Sequence, residues 1–250
     1  MTIKSKSDLA GMRAVGRLVA QALREMRNAV RPGLTTAQLD DVGAAFLRRH
    51  GARSAPQLTY DFPGFNCISV NDEVVHGIPG PRVLAPGDVV KIDVTAELDG
   101  FIADAAITVI IPPVTARARN LVACAQRSFT RAVKVAAADV RIAELGRAVE
   151  TEVERWGHSV IRDMCGHGVG RALHEKPTVP NFFSPFTIGR LEDGMVIALE
   201  PIISESPTPV FESDDGWTIR TATGCLAAHY EHTIMIREGR AEVLTSGRQP

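Results

Sequence analysis

The chain has few aromatic residues, no excess of either charge and no long uninterrupted hydrophobic run. Aromatic residues make up 5% of its 250 residues and the formal net charge is −1, so no overall field favours nucleic acid or an anionic membrane. Charged residues, proline or glycine interrupt every long apolar stretch, which argues against a bilayer-spanning helix. The first residues also lack the pattern of a secretory signal. We therefore predict no membrane partner and no sequence-specific nucleic acid partner.

The sequence also lacks paired cysteines. Its four cysteines are scattered without C-x-x-C spacing, at Cys67, Cys124, Cys165 and Cys225. This usage favours a reduced, cytoplasmic protein over a disulfide-stapled one. Hydrophobic residues make up 45% of the chain, which is enough to bury a substantial core. We predict a single domain over residues 1–250.

The chain does contain an internal repeat, with an offset of 107 residues. The segment Gly87-Asp-Val-Val-Lys-Ile-Asp93 corresponds to Gly194-Met-Val-Ile-Ala-Leu-Glu200. Asp104 and Glu231 each begin a run of β-branched and apolar residues after these segments. Both copies therefore place two acidic residues on predicted apolar strands.

Each copy of the repeat is predicted to contain two helices followed by strands. Apolar spacing and turn residues predict helices over residues 7–30, 35–50, 116–138 and 142–156. The corresponding strands are predicted over residues 89–96, 101–111, 195–201 and 228–237. Asp99-Gly100 is typical of a tight hairpin turn between the first two strands. The sequence thus predicts a mixed α/β protein with halves at about residues 7–111 and 115–240.

The acidic residues of the repeat point to metal chemistry. Asp93 and Asp104 are eleven residues apart around the predicted hairpin, so they should lie nearly opposite each other on one face. Including Glu200 and Glu231, four acids would lie among apolar neighbours, where burial without a positive partner is costly. A buried network without metal is the alternative, and its surplus negative charge counts against it.

A histidine between glycines supplies a further ligand type. His167 lies in Gly166-His-Gly-Val-Gly170, where glycine permits close backbone approach. One imidazole nitrogen with four carboxylates suits two divalent first-row ions better than a thiolate zinc site does. Two ions that share carboxylates can activate a water between them.

These motifs, in this order and spacing, resemble a methionine aminopeptidase. The resemblance rests on Asn71-Asp-Glu-Val-Val-His76-Gly-Ile-Pro79, Asp93, Asp104, Gly166-His167-Gly-Val-Gly-Arg-Ala-Leu-His174-Glu-Lys-Pro177, Glu200-Pro201 and Glu231-His-Thr233. It covers nearly the whole chain. It implies the duplicated pita-bread fold, an antiparallel sheet with helices outside and pseudo-two-fold symmetry. Only 25 residues separate His174 from Glu200, so the resemblance is to the type I enzymes, which lack a helical insertion there.

The resemblance also implies roles for individual residues. Asp104 and Glu231 would bridge two ions, drawn from Co, Mn, Fe or Zn. Asp93 would bind one ion, and His167 with Glu200 would bind the other. Glu200 would also move a proton during catalysis. His76 and His174 would face the substrate without binding metal, and the methionine pocket would be lined by Phe62, Cys67, Leu173 and Trp217.

The implied activity is removal of the initiator methionine from peptides and nascent proteins, with a small second residue preferred. The chain departs from the family at Ala105 and Ala106, where Thr-Ser is usual, and at His229, where glutamine is usual. Both departures lie beside predicted ligands and bear on metal affinity. From its residue type alone, His229 is predicted to be solvated or structural.

Two other functions fit parts of the pattern. A proline-specific aminopeptidase shares the fold and ligand set but normally carries a further amino-terminal domain. A catalytically inactive pita-bread protein would bind peptides, but such proteins usually lose metal ligands that are present here. Separately, an arginine stripe on the first helix predicts a solvated face, with transient ribosomal RNA contact as the alternative; it comprises Arg13, Arg17, Arg24, Arg27 and Arg31.

Overall fold

The structure, a computed structural model, describes residues 1–246. Its helices are α1 (Lys6–Ala29), α2 (Thr36–Arg49), α3 (Ala55–Tyr60), α4 (Ala116–Val135) and α5 (Ile142–Arg155). Its strands are β1 (Arg53–Ser54), β2 (Cys67–Val70), β3 (Glu73–Val75), β4 (Val89–Leu98), β5 (Phe101–Ile110), β6 (Ser159–Val160), β7 (Cys165–Gly168), β8 (Glu175–Pro180), β9 (Val196–Leu199), β10 (Ile202–Ser204), β11 (Val210–Glu212), β12 (Ile219–Thr221), β13 (Ala227–His229), β14 (Glu231–Arg237) and β15 (Arg240–Val243). Among the described residues, none of the helices is long and apolar enough to cross a membrane.

The four long helices begin and end close to their predicted positions. Ser5 caps α1 by accepting from the Asp8 amide, and Thr35 forms a reciprocal capping box with Gln38 at the start of α2. Gly51, with φ of 76°, follows the end of α2 in the left-handed conformation that glycine adopts without strain. Local capping and apolar spacing therefore account for the helical layer.

A nine-stranded antiparallel sheet joins the two halves of the repeat. The strand order is β1-β4-β5-β14-β9-β7-β8, with β2 paired to β4 and β15 paired to β14. The β5 strand of the first half lies beside the β14 strand of the second, and β4 and β9 flank them. The two repeated segments thus occupy equivalent positions about the centre of the sheet, as the predicted pseudo-two-fold symmetry requires.

The helices pack against this sheet in two hydrophobic clusters. The first cluster unites apolar residues of α1 and α2 with β4 and β5, including Met12, Leu39 and Ile92. The second unites α4 and α5 with β9 and β14, including Leu145 and Ile234. The helices cover one face of the sheet, so acidic side chains on the other face remain available for a site.

One predicted strand proves to be two. The sequence predicts a continuous strand over residues 228–237, but the structure divides it at Tyr230 into β13 and β14. The chain changes partners there, because β13 pairs with β10 whereas β14 pairs with β5 and β9. The Tyr230 amide donates to Pro201 O at the change. The local alternation of residues carries no information about such a change of partner.

Candidate metal centre

Three strands bring the acidic residues together around Ala106. Asp93 on β4 and Glu231 on β14 both pair with Ala106 on β5, one from each side. Directly paired residues lie on the same face of a sheet, so the two carboxylates flank the alanine methyl. Asp104 lies two residues from Ala106 and therefore on that face as well. Its own partner on β4 is Thr95, so Asp93 and Asp104 are diagonal neighbours and not direct partners.

Glu200 and His167 complete the cluster from the other half. His167 on β7 pairs with Ala198 on β9, and Glu200 follows the end of β9. His167 Nε2 lies 3.6 Å from Glu200 Oε1 and 3.9 Å from Asp104 Oδ2. The five predicted ligand residues thus converge, although they come from segments far apart in the sequence.

The hydrogen bond between His167 Nδ1 and Gly168 O determines which ring nitrogen can bind a metal. Its Nδ1 lies 2.9 Å from Gly168 O, and a carbonyl oxygen can only accept, so Nδ1 carries the proton. Burial, helped by the neighbouring His174 ring, lowers the pKa of His167 to about 4. The neutral ring then directs the Nε2 lone pair towards Asp104 and Glu200, the form in which histidine binds metal.

The acidic groups are held in a strongly unfavourable environment for charge. Burial raises the pKa of Asp93, Glu200 and Glu231 well above the usual range, and neighbouring carboxylates raise these values further. Burial also raises the pKa of Asp104 to about 6, against the lowering effect of a hydrogen bond from Thr95. A divalent cation among these groups would offset the cost of ionising buried carboxylates, so the cluster favours cation binding.

The donor set fits divalent metal ions. Asp93, His229 and Glu231 each offer a ligand atom within 4.8 Å of the others, and so do Asp104, His167 and Glu231. Within residues 1–246, three buried atoms of the cluster make no hydrogen bond: Asp93 Oδ1, Glu231 Oε1 and His229 Nε2. Ala106, between the two carboxylates, has no hydroxyl to donate. Mixed oxygen and nitrogen donors are the ligands that first-row divalent ions accept.

His229 is the site residue for which sequence reasoning gave no metal role. It is 2% exposed, and its Nε2 lies 3.3 Å from Glu231 Oε2 and 3.7 Å from Glu200 Oε2. Burial lowers its pKa to about 3. The available signal was its position two residues before Glu231, because alternate residues of an extended chain face the same side.

The four predicted pocket residues line one cavity next to the carboxylates. Phe62, Cys67, Leu173 and Trp217 surround a space of about 270 Å³ together with Asp93, Asp104, His76 and His174. The Phe62 and Trp217 rings pack edge to face with centroids 5.1 Å apart. His76 and His174 are both exposed at this cavity. The cavity is therefore apolar on one side and reaches acidic groups on the other.

Sequence reasoning missed two polar residues of this cavity. Tyr60 lies at the end of α3, and its hydroxyl is hydrogen-bonded to His174 Nδ1 at 2.5 Å. Thr95 donates to Asp104 Oδ1 at 2.8 Å. Thr95 follows Asp93 by two residues on β4, so strand alternation could have identified it. Nothing in the sequence pattern indicated Tyr60, because α3 is short and its contact with His174 spans 114 residues.

Comparison with known proteins agrees with this geometry. The family described as "Metallopeptidase family M24" matches residues 10–238 of this chain. A protein named methionine aminopeptidase 2 from Bacillus subtilis is 42% identical over 247 residues, which cover 98% of this chain and 99% of that protein. The crystal structure of methionine aminopeptidase from Thermotoga maritima superimposes with a TM-score of 0.95 at 38% identity, over 98% of this chain and 99% of that chain.

The fold extends to prolidases as well. Prolidase from Pyrococcus furiosus superimposes with a TM-score of 0.81 at 20% identity, over 99% of this chain but only 66% of that one. This likeness concerns the fold alone. Together with the match to the Thermotoga maritima structure, it confirms the predicted pita-bread fold. With close relatives matched along nearly its full length, the chain belongs to metallopeptidase family M24, among the methionine aminopeptidases.

Proposed function

We propose that this protein, as one catalytic domain, removes the amino-terminal methionine from peptides and nascent proteins in the cytoplasm. The observation that carries the proposal is the apolar cavity of about 270 Å³ that opens onto the carboxylates. An unbranched thioether side chain fits an apolar cavity of aromatic, leucine and cysteine side chains. The scissile bond of a peptide held there would lie beside Asp93 and Asp104.

The cluster would hold two divalent ions. Asp104 and Glu231 would each serve both ions, as the family resemblance implies. Glu231 belongs to both groups of potential ligands, and Asp104 belongs to one group and is a diagonal neighbour of Asp93 in the other. Asp93 would serve one ion, and His167 with Glu200 the other. When bound, the ions would supply an activated water for attack on the scissile carbonyl. Glu200 would then carry a proton from that water to the leaving amine.

His76 and His174 would act on the substrate. Both line the cavity beside the carboxylates, yet neither contributes to the two groups of potential ligands. If the Tyr60 hydroxyl donates to His174 Nδ1, the His174 ring proton resides on Nε2. That N–H can then donate to the scissile carbonyl oxygen as negative charge develops on it.

The first test is peptide selectivity. With protein reconstituted with Fe, Mn, Co or Zn, we expect turnover of Met-Ala-Ser and little turnover of Met-Arg-Ser or Ala-Pro-Ala, measured by release of the free amino acid. Methionine fits the cavity, whereas a large second residue would crowd the acidic side of it. A formylated Met-Ala-Ser is expected to resist cleavage, because its blocked amine cannot bind a metal.

Each substrate tests a different part of the proposal. Preferred cleavage of Ala-Pro-Ala would assign the chain to proline-specific peptidases. Equal rates for Met-Ala-Ser and the formyl peptide would remove the requirement for a free amine. Absence of turnover with every metal, in protein that demonstrably binds metal, would favour a peptide-binding role.

We also propose transient contact with ribosomal RNA through the basic face of α1. Arg13, Arg17, Arg237 and Arg240 line one surface cavity, and Arg24, Arg27 and Lys134 line another. Arg13 forms a bidentate ion pair with Glu242, which neutralises its charge. Arg17, Arg24 and Arg27 are therefore the better partners for phosphate.

Ribosome binding measured at two salt concentrations tests this contact. We expect affinity to fall as salt rises, and the salt dependence to weaken in the combined Arg24→Glu and Arg27→Glu variant. The combined Arg119→Glu and Arg155→Glu variant, which reverses the same number of exposed arginines on α4 and α5, is the matched control. Equal binding by both variants would leave the α1 stripe as a solvated face.

A further inference from the structure

The backbone of His229 is bonded on both sides. The Thr108 hydroxyl donates to His229 O at 2.7 Å and accepts from the His229 amide at 3.0 Å. His229 also pairs with Ile202 in the β10–β13 ladder. Two strands from different sheets therefore fix the direction in which the ring leaves the backbone.

His229 Nε2 lies near carboxylate oxygens but makes no hydrogen bond among the described residues. Nε2 lies 3.3 Å from Glu231 Oε2 and 3.7 Å from Glu200 Oε2, yet within the described part of the chain it makes no hydrogen bond. Asp93 Oδ1 and Glu231 Oε1 are likewise buried and unpaired there. Three unpaired buried polar atoms in one cluster are costly. A cation among them would satisfy all three.

We propose that His229 is a metal ligand, and that it binds the ion held by Asp93 and Glu231. These three residues form one group of potential ligands within 4.8 Å, and Asp104, His167 and Glu231 form another. Glu231 belongs to both groups, which fits its proposed role as a residue shared by two ions. The inference rests on the proposed dinuclear centre and adds a second imidazole to it.

The second imidazole changes the character of the centre. With His167 alone, one ion has a nitrogen ligand and the other has only oxygen ligands. With His229 as well, each ion has one imidazole, and imidazole suits later first-row ions whereas all-oxygen sites suit Mg and Mn. The departure from glutamine at this position would therefore shift metal preference towards Fe, Co and Zn.

X-ray absorption of protein loaded with two equivalents of Zn or Co measures this directly. Outer-shell scattering counts the imidazoles, and we expect one per metal on average in the unaltered protein. His229→Gln should lower the count to one imidazole per two metals. It should also weaken one binding step by more than about 100-fold, beyond the 10- to 100-fold that loss of a residue merely supporting a ligand costs.

Two further variants calibrate the count. His167→Gln should remove one imidazole in the same way. His232→Gln is the matched control, because His232 is also buried and adjacent to Glu231 but its ring bonds to Thr245 Oγ1 and Tyr230 Oη. This variant should keep both imidazoles.

The outcome separates this inference from the proposed function. An unaltered protein with one imidazole per two metals, and no change in His229→Gln, would overturn ligation by His229 while leaving methionine removal intact. Two imidazoles in a protein that fails to cleave Met-Ala-Ser would support ligation and overturn the activity. Metal content and thermal unfolding of the purified variants show whether each has folded.

Discussion

Asp104→Asn is expected to lose strong binding of both metal ions, whereas Asp93→Asn should retain one. Asp104 lies on the central strand β5, where it forms a group of potential ligands with His167 and Glu231 and is a diagonal neighbour of Asp93. If it serves both ions, its loss removes an anionic oxygen from each and leaves two dications to repel each other across a short gap. If Asp93 serves one ion only, as proposed, the ion at His167 and Glu200 should remain.

Isothermal titration of metal-free protein with Mn or Co measures this difference. The unaltered protein should give two binding steps, Asp93→Asn one strong step, and Asp104→Asn none of comparable strength. Thr95→Val is the matched control, because it removes only the hydrogen bond to Asp104 Oδ1. It should keep both steps at affinities reduced by about 10- to 100-fold.

Both substituted carboxylates lie in the same sheet, Asp104 buried and Asp93 partly buried, so folding must be checked. The Asp104 amide and carbonyl both bond to Thr233 Oγ1, and asparagine retains these backbone contacts. Thermal unfolding of Asp104→Asn should therefore stay cooperative. Two intact steps in a folded Asp104→Asn would show that Asp104 does not bridge, and the roles of the ligands would need to be reassigned.

His174→Ala is expected to lower kcat by about two to three orders of magnitude with metal content unchanged. Loss of a single donor to a developing oxyanion costs about 2.7 to 4 kcal/mol of transition-state stabilisation. His174 lines the apolar cavity and belongs to neither group of potential ligands. Its effect should therefore appear in turnover and not in metal binding.

Steady-state kinetics on Met-Ala-Ser and metal analysis of the same preparation give both quantities. Tyr60→Phe provides an intermediate case, because it keeps the ring and removes the hydroxyl bonded to His174 Nδ1. It should lower kcat less than His174→Ala does, since the imidazole remains present but less well oriented. Loss of metal from His174→Ala would instead identify His174 as a ligand.

The convergence of the acidic residues could be predicted because their spacing reflects local strand geometry. Asp93 and Asp104 belong to one hairpin closed by Asp99 and Gly100, whose φ values of 51° and 79° suit a tight turn. Residues two apart on a strand share a face, so the positions of the acids followed from the sequence. The resemblance of the motifs to a methionine aminopeptidase added His76, His174 and the pocket residues.

The surroundings of these acidic residues could not be predicted in the same way. Tyr60 reaches His174 across 114 residues, and α3, which carries it, has no apolar period that would reveal it. His229 was expected to be solvated or structural, because its residue type alone gives no partner. Its proximity to Glu200 depends on the break at Tyr230, where the chain leaves β10 and joins β5 and β9.

Local sequence patterns suffice to predict the duplicated order of helices and strands and the acid at each matched position. Capping, periodicity and turn residues act between neighbours in the chain, so they can be recognised without knowing the fold. Long-range strand pairing is needed to make β5 and β14 adjacent, to place Ala106 between two carboxylates, and to bring His229 close to Glu200. These features depend on pairing between strands more than 100 residues apart, as in the contact of Asp104 with Thr233 over 129 residues. Burial of both hydrophobic clusters against one sheet stabilises that pairing, and no local pattern encodes it.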